Sequence, residues 1–173
     1  LDCAKLAGNT LVVFTSDNGS TNPPMTEFNH RPNGPWRGRK STIWDGGHRI
    51  PFLARWPGRI TPGTRCAEPV CLSDLMATAA DLVGEELPAS AGEDSVSILP
   101  ALAGRRFRRP RRGPIIHHSI DGMFAGRQWP HKYVQGRGSG GWDGKGTLTD
   151  PAGQLYDLAA DPAEQNNLYV SRP

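Results

Sequence analysis

No apolar run in the 173 residues approaches the ~18–20 consecutive positions that a membrane-spanning helix needs, so neither a helical span nor a membrane partner is expected. Residues 1–8 contain Asp2 and Lys5 and no apolar core segment, so no secretory leader is legible there. Cysteine is scarce. Cys3, Cys66 and Cys71 cannot all pair with one another, and the absence of Cys-x-x-Cys argues against a structural zinc site. A small Cys66–Cys71 disulfide and buried free thiols remain as alternatives. The glycine-rich stretch 136–141 has no Lys-Ser/Thr pair and does not open a helix, which excludes a phosphate cradle. The net positive charge rests on one tract, with arginine at six of the eight positions 105–112; losing those six charges would turn a formal +3 into −3. Such a tract reads as a solvated connection. With Phe107 as its one aromatic it lacks the interleaved rings of a nucleic-acid surface, so no nucleic-acid partner is expected.

Glycine (21) and proline (16) are plentiful beside 36% hydrophobic content, which indicates short elements and many loops around one core. Leu1, Ala4 and Ala7 repeat at helical spacing, with Gly8 positioned to end a helix. Thr10–Thr15 reads as a buried strand, 16–45 as a long functional loop, and Pro51–Trp56 as a second core strand. Ser73–Val83 is the clearest helix: Ser73 caps it, Gly84 ends it, and Leu75, Met76, Ala79, Leu82 and Val83 form a core-facing stripe. Ser97–Ala103 reads as a short helix bent at Pro100. Beyond the arginine tract, 114–118, 123–127, 131–135 and 154–157 read as short strands of a small antiparallel sheet. The fold class expected is therefore α/β followed by a carboxyl-terminal β subdomain.

The chemistry gathers at Val12-Val13-Phe14-Thr15-Ser16-Asp17-Asn18-Gly19. An apolar β-branched run stops at a carboxylate and an amide, which is how a strand delivers ligands to a crevice. Asp17 and Asn18 offer oxygens suited to a hard cation, Ca²⁺ or Mg²⁺, and Gly19 permits a sharp exit. The same four residues, Ser-Asp-Asn-Gly, also make an ordinary turn. Further along, Trp36-Arg37-Gly38-Arg39-Lys40 leads into Asp45-Gly46-Gly47-His48-Arg49-Ile50-Pro51.

This ordered set resembles the sulfatase family, in which a metal-binding Asp-Asn-Gly precedes a Gly-x-Lys segment, an acidic residue with Gly-Gly, and Arg-x-Pro. The likeness extends through His117-His118-Ser119, Phe124–Arg127, His131–Val134 and Leu155-Tyr156-Asp157-Leu158 to Asp161-Pro162 and Asn167-Leu168. It implies part of an alkaline-phosphatase-like α/β/α sandwich over 1–104, an Arg-rich connection at 105–113 and a small antiparallel β subdomain at 114–173. It also implies a sulfuric ester hydrolase acting on aryl or carbohydrate sulfates. Asp17 and Asn18 would ligate a divalent cation, most simply Ca²⁺, and Lys40 would contact the sulfate and support the leaving group.

Asp45, Gly46, Gly47 and Arg49 match the family segment as scaffold, and His48 stands where the family usually has an apolar residue, so it receives no role. Alternation sends His117 and His118 to opposite faces, and His118 is the stronger candidate for substrate contact. Residues 138–142 offer a rim loop on which Trp142 presents a ring to substrate. The family nucleophile, a cysteine in Cys-x-Pro/Ala-x-Arg that becomes formylglycine, has no counterpart after Cys3, Cys66 or Cys71. The expectation is thus a carboxyl-terminal portion, inactive alone, whose formylglycine and remaining metal carboxylates belong to an amino-terminal part of the active site. The resemblance favours an exported protein, whether periplasmic, secreted or lysosomal. Two alternatives are a related phosphodiesterase or phosphonate hydrolase, and a non-catalytic binder of acidic glycans through the arginine tract.

Overall fold

The computed structural model describes residues 1–21, 29–105 and 113–172. Most of the arginine tract lies outside the described residues. Two compact units emerge, one from 1–15 with 52–113 and the other from 16–51 with 114–173.

In the first unit, β1 (Val12–Thr15) pairs antiparallel with β2 (Phe52–Arg55), Val13 opposite Ala54 and Phe14 opposite Leu53. Both strands are shorter than their apolar runs suggest, and both are half-exposed: Phe14 is 67% and Leu53 58% accessible. The buried strand expected at 10–15 is therefore a two-stranded ribbon with one open face. The expected opening helix is also absent. Leu1–Leu6 forms turns, with Lys5 at φ 57, and a 3-10 helix covers Ala7–Asn9.

Helix α2 (Asp74–Val83) forms and ends at Gly84 in the left-handed region, as the sequence predicts. Its buried face differs. Met76 and Val83 are exposed while Asp74 and Thr78 are buried, so polar contacts fix the helix rather than the apolar stripe. The Asp74 carboxylate accepts the Cys71 and Val96 amides, while Ser73 lies in the right-handed helical region and makes no side-chain cap. The Thr78 hydroxyl accepts the Ile98 amide. Pro100 sits in the first turn of α3 (Leu99–Leu102), starting that helix instead of bending it. No disulfide joins the three cysteines; Cys3 and Cys66 are exposed and Cys71 half-buried, so neither the disulfide nor buried thiols are found.

The second unit contains an antiparallel meander in the order β3 (Ile115–His118), β4 (Phe124–Gln128), β5 (His131–Val134), β6 (Gln154–Asp157). Each of the four strand-like pieces read from sequence becomes a strand. One face carries Ala125, Val134 and Tyr156, which pack with Ile43, Trp44 and Leu158 into the core. Gln154 knits this core: its Oε1 accepts the Trp44 indole N–H and the Tyr156 hydroxyl, and its Nε2 donates to the Gly136 and Gly138 carbonyls. Among the described residues no helix is long and apolar enough to cross a membrane.

Candidate functional site

All the sequence-predicted site residues belong to the second unit. Asp17 and Asn18 lie just past the end of β1, and the following glycine is seated on a short helix, α1 (Asp45–His48). The Gly19 amide donates to the Gly47 carbonyl at 3.0 Å. A Cβ at Gly19 would stand 1.8 Å from the Gly46 oxygen, so only glycine permits this backbone approach. Gly46 is equally constrained, since a Cβ there would meet the Gly38 oxygen at 2.3 Å. Gly19→Ala is therefore expected to cost about 1–3 kcal/mol, the usual penalty of overpacking, read as a lower urea midpoint.

The Lys40 amide donates to the Ser20 carbonyl at 2.9 Å, so the main chains of the Asp-Asn-Gly loop and the lysine loop run side by side. The next residue, Ser41, holds φ 86, a left-handed conformation that a non-glycine residue keeps only when its surroundings impose it. Those surroundings are visible: the Ser41 hydroxyl accepts the Trp142 amide at 3.1 Å and its carbonyl accepts the Ile120 amide at 3.0 Å. Arg39 pairs with Asp143 at 2.9 Å and also donates to the Thr21 carbonyl. The 139–143 loop thus grips the residues on both sides of Lys40, and Trp142 is 54% exposed upon it.

The Asn18 amide nitrogen donates to the Gly19 carbonyl at 3.0 Å, an arrangement that leaves Oδ1 for another partner. Asp17 is exposed. Together they offer hard oxygen donors of the kind Ca²⁺ and Mg²⁺ take. Among the described residues no group of three or more His, Cys, Asp or Glu is placed to hold a metal. The donors suit a hard cation in chemical type, and two of them do not complete its shell. His118 is exposed, and its Nδ1 lies 2.8 Å from the Ser119 carbonyl; no hydrogen bond among the described residues joins it to Lys40.

Beneath these loops lies an ionic cluster that motif reading passes over. Lys132 on β5 is fully buried, and its ammonium reaches the Ile43 carbonyl (2.9 Å), Asp45 Oδ1 (3.0 Å) and Glu164 Oε1 (2.7 Å). Arg127 lies 3.4 Å and Arg49 3.8 Å from Asp45 Oδ2. The Arg49–Asp45 contact, between two residues read from sequence as scaffold, is therefore the longest in the cluster. Burial pushes the Asp45 carboxyl up, but Lys132 and Arg127 outweigh it and hold the group below its ordinary range. Burial raises Glu164, and the neighbouring Asp45 charge adds to the rise. The signal in the sequence was alternation: Val134 faces the core, so Lys132 must too, and a buried ammonium requires carboxylates.

His48 and His117, the two histidines given little weight, pack against each other with ring centroids 4.4 Å apart. Burial drives His48 down to about 4 and His117 to about 3, with Lys132 adding to both shifts. Both folded values lie below the ordinary 6.5, so as pH falls through 6.5 the unfolded chain takes up protons first. The pair's stabilising contribution is complete above pH 6.5 and is lost progressively towards pH 4 and 3. Urea unfolding between pH 7.5 and 4.5 is expected to show this slope, flattened in His48→Val. An unchanged slope would remove the pair as its source.

Comparison with known proteins gives a consistent result. The sulfatase family model matches residues 1–85. An N-acetylgalactosamine-6-O-sulfatase of Bacteroides thetaiotaomicron is 32% identical over the whole chain, which covers 35% of that protein. Human arylsulfatase A is 34% identical over 94% of the chain and 34% of its own length, and rat steryl-sulfatase 43% over 60% and 18%. Among solved structures, one described with the metabolism of multiple glycosaminoglycans by Bacteroides thetaiotaomicron superposes with TM-score 0.80 at 32% identity, over all of this chain and 38% of that one. A sulfatase from Pseudoalteromonas sp. gives 0.75 at 28% identity, over 99% of this chain and 35% of that one. The chain spans about a third or less of the length of these curated relatives.

Proposed function

The chain belongs to the sulfatase family, and from that premise we propose that it forms one side of a sulfate ester hydrolase centre built on Asp17, Asn18 and Lys40. The observation that carries this reading is the Lys40–Ser20 main-chain bond beside the Gly19–Gly47 bond, which sets the two loops edge to edge. Asp17 and Asn18 are the cation ligands from this chain. A divalent ion held there, Ca²⁺ on the strength of an all-oxygen donor set, supplies charge stabilisation to the sulfuryl oxygens. Lys40 neutralises the charge that develops on a sulfate oxygen and on the departing alkoxide. The formylglycine nucleophile and the other carboxylate ligands come from outside this chain, which is inactive alone. His118 and Trp142 stand at the substrate rim. In domain terms, residues 1–104 contribute to the α/β catalytic domain, 105–113 connect, and 114–173 form the β subdomain.

Relatives named for N-acetylgalactosamine 6-sulfate, steryl and aryl esters support sulfate esters as the substrate class. The test is hydrolysis of 4-methylumbelliferyl sulfate by the protein carrying this chain, with calcium chelated and then restored. Asp17→Ala is expected to raise the calcium concentration for half-maximal activity by about 10-fold or more, as loss of a charged ligand does. Unaltered calcium dependence would sink the metal assignment. Faster turnover of the corresponding phosphate ester would favour the phosphodiesterase class instead.

A further inference from the structure

We infer that Glu164, acting with Lys132, is a positioning residue for the whole candidate site: it buckles the 37–46 loop shut and thereby sets the Asp17–Asn18 loop against Lys40. This rests on the reading of those three residues as the site. None of the buckle residues touches substrate or cation.

The geometry is a closed circuit. At one end of the loop, the Arg37 guanidinium donates to the Glu164 carbonyl at 2.9 Å and also lies 3.6 Å over the Trp44 ring. At the other end, the Asp45 amide donates to Glu164 Oε2 at 2.6 Å. The circuit closes where the Gly46 amide donates to the Arg37 carbonyl at 2.7 Å. One buried residue thus fastens both ends of a ten-residue loop, and Lys40 rides within it.

Lys132 locks the fastening. Its ammonium donates to the Ile43 carbonyl and to Asp45 Oδ1 and stands 2.7 Å from Glu164 Oε1 as an ion pair, so the group is held from three sides. Glu164 itself is fully buried at φ 53, a conformation non-glycine residues avoid unless neighbouring contacts hold them there. From this anchored turn the path to the site is direct. Gly46 and Gly47 carry Gly19, and Asp17 and Asn18 immediately precede Gly19. The strained residue near the carboxyl end of the chain is therefore spent on aligning ligands near its amino end.

The experiment compares wild type, Glu164→Gln, Lys132→Met and Asp17→Ala in the protein carrying this chain, by site-resolved hydrogen exchange and by calcium titration calorimetry. Glu164→Gln keeps the side-chain size and the carbonyl that Arg37 uses, so a folded protein is expected. Exchange at the Gly19 and Lys40 amides is expected to rise selectively, while amides paired within β3–β5 keep their protection. Calcium affinity is expected to fall by about 10–100-fold, the usual effect of removing a group that orients metal ligands. A purely stabilising role would instead raise exchange evenly and leave calcium affinity intact; that result in both Glu164→Gln and Lys132→Met overturns the inference. If Asp17→Ala leaves calcium affinity unchanged, the metal reading fails, and the exchange pattern alone decides the buckle.

Discussion

Lys40→Ala is expected to lower kcat for sulfate ester hydrolysis by about 10²–10³-fold, equivalent to roughly 2.7–4 kcal/mol of transition-state stabilisation. The reasoning is electrostatic. Charge grows on the sulfuryl and leaving oxygens only as the S–O bond breaks, so an ammonium held beside them acts on the barrier more than on binding. KM is therefore expected to change much less than kcat. Lys40 suits this task because its neighbours are fixed while its own ammonium is uncommitted: among the described residues nothing bonds to its side chain, whereas Arg39 and Ser41 on either side are both tied down. Lys40→Arg is expected to rescue poorly, since a planar guanidinium directs its donors differently from a compact ammonium. A Lys40→Ala protein with wild-type kcat would remove the residue from the chemistry.

The second large effect is on stability. Lys132→Met is expected to destabilise the protein by about 3–5 kcal/mol in urea unfolding, because two buried carboxylates are left without their shared cation. The cost comes from stranding charge, so it can be reversed without restoring the ion pair. Adding Asp45→Asn and Glu164→Gln to Lys132→Met is expected to recover much of the loss. A single substitution costing less than about 1 kcal/mol would mean that water reaches the cluster, in conflict with the complete burial of Lys132 and Glu164.

The order in which these features became legible follows the range of the interactions behind them. The strands of the β3–β6 meander rest on local alternation between turn residues, and all four were readable. The end of β1 at Asp17-Asn18-Gly19 was readable because an apolar run stops abruptly at polar side chains. Helix α2 was found but its buried face was not, since periodicity reports amphipathicity and cannot say that the Asp74 carboxylate and the Thr78 hydroxyl would accept the Val96 and Ile98 amides. The ionic cluster was least visible. Glu164 lies in irregular chain with no periodic signal, and its partner amide at Asp45 is 119 positions away. His48 and His117 escaped for the same reason: each is unremarkable in its own segment, and only the fold brings their rings together.

The placement of Asp17 and Asn18 relative to Lys40 is what every functional statement rests on, and crystallography with calcium and a sulfate ester analogue tests it most directly. The expected result is an anomalous peak about 2.3–2.6 Å from the Asp17 and Asn18 oxygens, with the Lys40 ammonium on a sulfate oxygen of the same ligand. A cation bound elsewhere, or a Lys40 side chain extended into solvent away from the occupied site, would contradict it.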